Sequence, residues 1–154
     1  MDIGSKNKYP AGKLSNFTAF EFEIDGVKCA SMEGFLQALK FENKEAQKST
    51  CSLVGFAAKK KGSGRNKYWR SRQKLWWNGN EYKRSSKEYQ TLISRAYQAL
   101  YDQSEEYRKT LDDAGDAVFT HSIGNKNKKE TVLTEREFCA RLQMLKDHGR
   151  INQE

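Results

Sequence analysis

With 154 residues, of which 36% are apolar and 31% charged, the chain has the size and composition of a single soluble domain, expected to span 1–154 with its core at about 14–146 and polar tails at both ends. No apolar run approaches a membrane span and the first residues lack the apolar segment of a secretory leader, so a cytoplasmic protein without a membrane partner is expected. The net charge of +8 favours an anionic partner.

In chain order, the first element is a hairpin. Phe20, Phe22 and Ile24 alternate with Glu21 and Glu23, Asp25-Gly26 forms the turn, and Val27-Lys28-Cys29 returns. A helix follows from Ser31, with Met32, Phe35, Leu36 and Leu39 on one apolar face. At about 100° per residue, Glu33, Gln37 and Lys40 fall in a second stripe beside that face. A carboxylate, an amide and an ammonium thus line the border of the core, where a cleft would lie. A capping box would need its acid at residue 34, which is glycine, so capping does not account for Glu33. The helix dipole is expected to keep Glu33 ionised, although a solvated first-turn acid reads the same way.

Glu42 to Lys61 reads as a second helix ended by Gly62. Lys59-Lys60-Lys61-Gly62-Ser63-Gly64-Arg65-Asn66-Lys67 reads as a flexible basic loop, without the Gly-Lys-Ser/Thr ending of a P-loop. Tyr68, Trp69, Trp76, Trp77 and Tyr82 follow, interleaved with Arg70, Arg72 and Lys74. Cations among rings can hold phosphates while a base stacks, which makes Lys59, Lys60, Lys61, Arg65 and Lys67 candidate nucleic-acid contacts. Equally, the tryptophans can close the core while the lysines only solubilise the loop.

Ser85 and Glu88 form the pattern of a capping box for an amphipathic helix carrying Tyr89, Leu92, Ile93, Ala96, Tyr97 and Leu100. Ser104 can cap a shorter helix through Leu111. Ala117-Val118-Phe119-Thr120 reads as a short buried strand that delivers His121 to its end, in either a structural or a functional role. Glu130 falls in a polar loop, where a solvated acid is the default. Thr134 and Glu137 form a second capping box, opening a helix with Phe138, Leu142 and Leu145 inward, and the tail from His148 reads as frayed. Cys29, Cys51 and Cys139, odd in number and far apart in sequence, argue for reduced thiols. His121 and His148 are too few and too distant to suggest a metal site.

Asn16-Phe17, then Ser31-x-Glu33-x-x-x-Gln37 and Lys40-Phe41, resembles the opening signature of the NADAR superfamily, also called YbiA-like. Ser86 to Tyr101 resembles its central helix, and Leu111-(x)3-Gly115-Asp116-Ala117 resembles its Leu-x-x-Thr-Gly-Asp-Ala turn, followed by His121. The likeness covers about Leu14 to Lys146. It departs where better-known members carry His-Tyr, here Gly34-Phe35, and in their C-terminal Tyr-Trp-Gly region, here His121 to Glu135. It implies an α+β fold, mostly helical with a small hairpin, and hydrolysis of N-glycosidic bonds without a cofactor. Family substrates are ADP-ribosylated guanine in DNA and ribosylamino-pyrimidine phosphates of riboflavin synthesis. A non-catalytic reader of ADP-ribose and a plain nucleic-acid-binding protein are the other two classes.

The resemblance makes Glu33 and Glu130 the expected catalytic acids. Asn16, Phe17, Ser31, Gln37, Lys40, Gly115, Asp116 and His121 are the expected substrate contacts, with one of Trp76 and Trp77 lining the pocket. An ADP-ribose-containing or ribose-phosphate substrate, carried on modified DNA in the first case, is the expected partner.

Overall fold

A computed structural model describes residues 1–152. The elements are β1 (Phe22–Ile24), β2 (Val27–Cys29), α1 (Met32–Ala38), α2 (Lys44–Cys51), α3 (Gly55–Ser63), α4 (Asn66–Arg72), β3 (Lys74–Trp77), β4 (Asn80–Lys83), α5 (Lys87–Gln103), α6 (Glu105–Asp112) and α7 (Glu135–His148). The fold is α+β, with two separate two-stranded antiparallel sheets among the helices.

Both hairpins turn on two residues of positive φ, Asp25-Gly26 in the first and Asn78-Gly79 in the second. That geometry matches the right-handed twist of paired strands. The first pairs Phe22 with Cys29 and Ile24 with Val27, as the alternation predicts. The second, pairing Lys74 with Lys83 and Trp77 with Asn80, was missed by the sequence reading. Asn78-Gly79 is the turn signal for it in the sequence, and its aromatic strand takes the core role that the sequence left open beside ligand stacking.

The tryptophans belong to the core. Trp69 and Trp77 are fully buried, and Phe35 meets Trp77 edge-on at 4.8 Å. The Trp77 indole N–H donates to Asp25 at 2.9 Å, tying the first hairpin's turn to the end of β3. Helix α5 buries all six predicted stripe residues. It packs against β1, α6 and α7.

Several boundaries differ from the sequence expectations. The Glu42 to Lys61 helix is two helices, because Val54 is extended at the second one's start and Gly55 takes φ +53°. The basic segment is not a flexible loop: Lys59, Lys60 and Lys61 lie on α3, and Lys67 and Arg70 on α4. Gly62 lies inside α3 because a Cβ there would fall 2.9 Å from Gln37 Cβ; only hydrogen lets α3 lie this close to α1.

Helix α5 is capped one residue later than expected, with the Ser86 hydroxyl accepting from Tyr89 N–H at 3.1 Å. Residues 117–120 form no regular strand; Thr120 makes one parallel bridge with Asp2, and Val118 is 70% exposed. The expected polar tails are docked at both ends: Ile3 is fully buried, and Ile151 is buried with its N–H on Gln98 Oε1 at 3.0 Å. The last two residues of the expected tail, 153–154, lie outside the described residues. The second capping box, Thr134 with Glu137, forms as expected.

Candidate active site

A cavity of about 530 Å³ opens between α1, α3, α4 and the loop from His121 to Leu133. Its first wall is the stripe on α1. Ser31 fixes where that helix begins, accepting from Gly34 N–H at 3.0 Å and donating to the Leu53 carbonyl at 2.9 Å. Glu33 N–H donates to the Asn16 carbonyl at 3.0 Å, which brings the Ser15-Asn16-Phe17 turn onto the same wall. The Tyr97 hydroxyl donates to Asn16 Oδ1 at 2.8 Å and leaves the amide N–H groups for the cavity.

Glu33 Oε2 accepts from Gln37 Nε2 at 2.7 Å. Burial pushes the Glu33 carboxyl above its ordinary range, against the Gln37 hydrogen bond and the charges of Lys40 and Lys59. The helix dipole favours the ionised form at the same place where the cavity wall removes water, and the net direction is upward. Lys40 is buried and donates to Asn66 Oδ1 at 2.6 Å. Burial pulls its ammonium down to about 8, opposed by Glu33 and reinforced by Arg70 and Lys59.

The opposite wall is backbone held by side chains from across the molecule. Gln73 donates to the Lys129 carbonyl at 2.8 Å, Arg70 to the Glu130 carbonyl at 2.7 Å, Arg84 to that of Thr131 at 2.9 Å and Tyr89 to that of Val132 at 2.6 Å. Four consecutive carbonyls thus have fixed donors, so this wall is rigid despite lacking regular secondary structure. Arg84 is itself buried and paired with Glu137 at 2.6 Å.

Of the predicted site residues, Asn16, Phe17, Glu33, Gln37, Lys40, Lys59, His121 and Glu130 line this one cavity. Ser31 does not, because both roles of its hydroxyl are spent on the helix cap and Leu53. Neither Trp76 nor Trp77 lines it: Trp76 stacks on Tyr68 at 5.7 Å, and Trp77 is core. Gly115 and Asp116 lie elsewhere, the Gly115 carbonyl accepting from Lys146 at 2.8 Å and Asp116 standing exposed. Lys60, Lys61 and Lys67 are exposed outside the cavity, and Arg65 lies over the Tyr68 ring at 3.9 Å. Glu130 is at the exposed rim.

Sequence reasoning missed Ser15, Asn66, Arg70 and Asn125 as lining residues. Arg70 carried a signal, its place among the rings of Tyr68, Trp69 and Trp76, where a cation can hold phosphate, although it was not singled out as a site residue. Asn125 carried none. Among the described residues no group of His, Cys, Asp and Glu could hold a metal ion, and no helix is long and apolar enough to cross a membrane. All three cysteines are free thiols.

Residues 8–147 match the family described as Bacteriophage protein GP30.3. The chain belongs to the bacteriophage GP30.3 family. This is a NADAR-type family, in keeping with the signature at Asn16 to Phe41. The GP30.3-family chain is 34% identical over 150 residues to an uncharacterized 17.1 kDa protein of the Gp30-rIII intergenic region of Enterobacteria phage T4, covering 96% of this chain and 97% of that one. Its fold is that of the E. coli protein YbiA, whose NMR structure aligns at TM-score 0.55 and 20% identity over 94% of this chain and 80% of that one. The Gly34-Phe35 departure has a local cause in this chain: a Cβ at Gly34 would fall 2.7 Å from the Leu53 carbonyl, so α2 closes directly on α1.

Proposed function

We propose that this protein hydrolyses a ribose N-glycosidic bond, and that its substrate carries ADP-ribose on a guanine of DNA or is a closely related ADP-ribosyl nucleotide. The observation that carries this reading is one carboxylate, Glu33, set in the wall of a cavity whose other charges include Lys40, Lys59 and Arg70. Loss of a base from a ribose builds oxocarbenium character at the anomeric carbon. A fixed anion beside that carbon lowers the barrier, and more so where water is excluded. The three cations beside it suit the phosphates of a nucleotide.

In the reaction, water oxygen bonds to the anomeric carbon while the glycosidic electron pair leaves with the base nitrogen, which is protonated. Glu33 supplies the stabilising charge and Gln37 holds its orientation. The Asn16 amide is available to sugar or base edges, and Lys40 and Arg70 to phosphate. The exposed Glu130 touches the part of the ligand nearest solvent.

The test is incubation with an oligonucleotide carrying ADP-ribosylated guanine beside a ribosylamino-pyrimidine phosphate. Release of free ADP-ribose supports the proposal, and cleavage of only the second compound moves the substrate to the small pyrimidine phosphates. Retention of the modified strand without release makes the protein a reader. Salt-sensitive binding to unmodified strands, without competition by ADP-ribose, makes it a nucleic-acid-binding protein.

A further inference from the structure

One contact of His121 decides which of its ring nitrogens can do chemistry. Nδ1 lies 2.7 Å from the Ile3 carbonyl oxygen. A carbonyl only accepts, so Nδ1 carries the hydrogen, and in the neutral ring Nε2 is left with a lone pair. The ring lines the cavity, and Nε2 has no hydrogen-bond partner among the described residues. The ring packs edge-on against Phe138 at 5.0 Å, and Gly124 leaves room that a Cβ would deny, since it would come 2.5 Å from His121 Cδ2.

The Ile3 carbonyl is itself held by a device on both sides of His121. Ile3 N–H donates to the Thr120 carbonyl at 2.8 Å, and Thr120 N–H donates to the Met1 carbonyl at 2.9 Å. Asp2 Oδ1 accepts from Thr120 Oγ1 at 3.1 Å and from Ser122 N–H at 2.7 Å, and Oδ2 accepts from Ser122 Oγ at 2.6 Å. One carboxylate therefore grips the residue before His121 and the residue after it, while the buried Ile3 side chain anchors the segment in the core.

We infer that His121 Nε2 is a catalytic base of this site, and that Asp2 is the positioning residue that keeps Nε2 free of hydrogen by holding Ile3 against Nδ1. The role rests on the glycosidase reading above. As water oxygen bonds to the anomeric carbon, one of its protons passes to Nε2. The glycosidic electron pair leaves with the base nitrogen, and the imidazolium then returns the proton to the departed base. No other reactant is needed, and Glu33 remains the charge beside the sugar.

The first readout needs no turnover. Nitrogen-15 NMR of the histidine ring in the intact protein is expected to show His121 protonated at Nδ1 and bare at Nε2. Asp2→Ala should mix the two tautomers, and Asp2→Asn should restore the native one, since its amide can meet the same Thr120 and Ser122 groups. The second readout is release of ADP-ribose from the modified oligonucleotide. His121→Asn keeps an N–H near the Nδ1 position and removes Nε2; it should keep the melting temperature and lose about 100-fold or more in kcat. Asp2→Ala should lose up to about 100-fold in kcat with little change in KM, as misplacement of a reacting group does. A hydrogen on Nε2 in the wild type, or wild-type kcat in His121→Asn, overturns the proposal while leaving the glycosidase reading intact. Absence of release by the wild type removes that reading and this role together.

Discussion

Glu33 sits where the helix dipole and the loss of water act in opposite directions, and burial prevails. A carboxylate held above its ordinary range destabilises the fold that carries it. Glu33→Gln keeps the shape and the hydrogen bond to Gln37 but removes that penalty. The variant should melt at or above the wild-type temperature, checked by calorimetry near neutral pH, and bind ADP-ribose with wild-type affinity. Lys40 presents the complementary case. Its ammonium titrates near 8, so its charge is present below that pH and lost above it. Affinity for ADP-ribose or pyrophosphate should therefore fall as pH rises through about 8, and the dependence should disappear in Lys40→Met. Titration calorimetry from pH 6 to 9 distinguishes a flat profile from a falling one.

At the scale of elements, the cavity's outer wall depends on one buried pair. Burial acts to raise the Glu137 carboxyl, but hydrogen bonds from Arg84 and Thr134 N–H, with the Arg84 charge, outweigh it and hold the group down at about 2. A depressed carboxyl contributes its full stabilisation above its ordinary value of 4.5 and loses it as pH falls toward about 2. Acid unfolding should therefore steepen in that window, and the feature should be absent in Arg84→Met. Removing Arg84 should cost on the order of 3 kcal/mol in denaturant unfolding, since it strands a largely buried carboxylate. The elements of this fold were legible where a local rule decided them: the Asp25-Gly26 turn, the Thr134 and Glu137 box, the α5 stripe and the Glu33-Gln37-Lys40 row. The α2–α3 break was not, because it depends on Gly55 taking positive φ and on Gly62 meeting Gln37, contacts made across the fold. The outer wall was illegible for the same reason. Its four carbonyls meet donors between 43 and 60 residues away in sequence.

For the whole molecule, the cations behind the +8 net charge include two groups with different expected effects. Lys40, Lys59 and Arg70 line the cavity, whereas Lys60, Lys61, Lys128 and Lys129 are exposed outside it. Neutralising Lys60 and Lys61 should weaken binding to a modified strand and reduce the log–log salt slope by roughly 0.7 to 0.9 for each phosphate that no longer meets a cation. Turnover of a small soluble nucleotide should be unchanged; equal loss on both substrates would mean that these lysines reach the cavity in solution. The central claim is that Glu33 makes this cavity a glycosidase site. The most direct measurement is the rate at which free ADP-ribose appears, followed by mass spectrometry, from an oligonucleotide bearing ADP-ribosylated guanine. The wild-type protein should release ADP-ribose, and Glu33→Gln should do so at a rate about 100-fold or more lower at saturating substrate. Equal rates for the two proteins, or no release by the wild type, would contradict that claim.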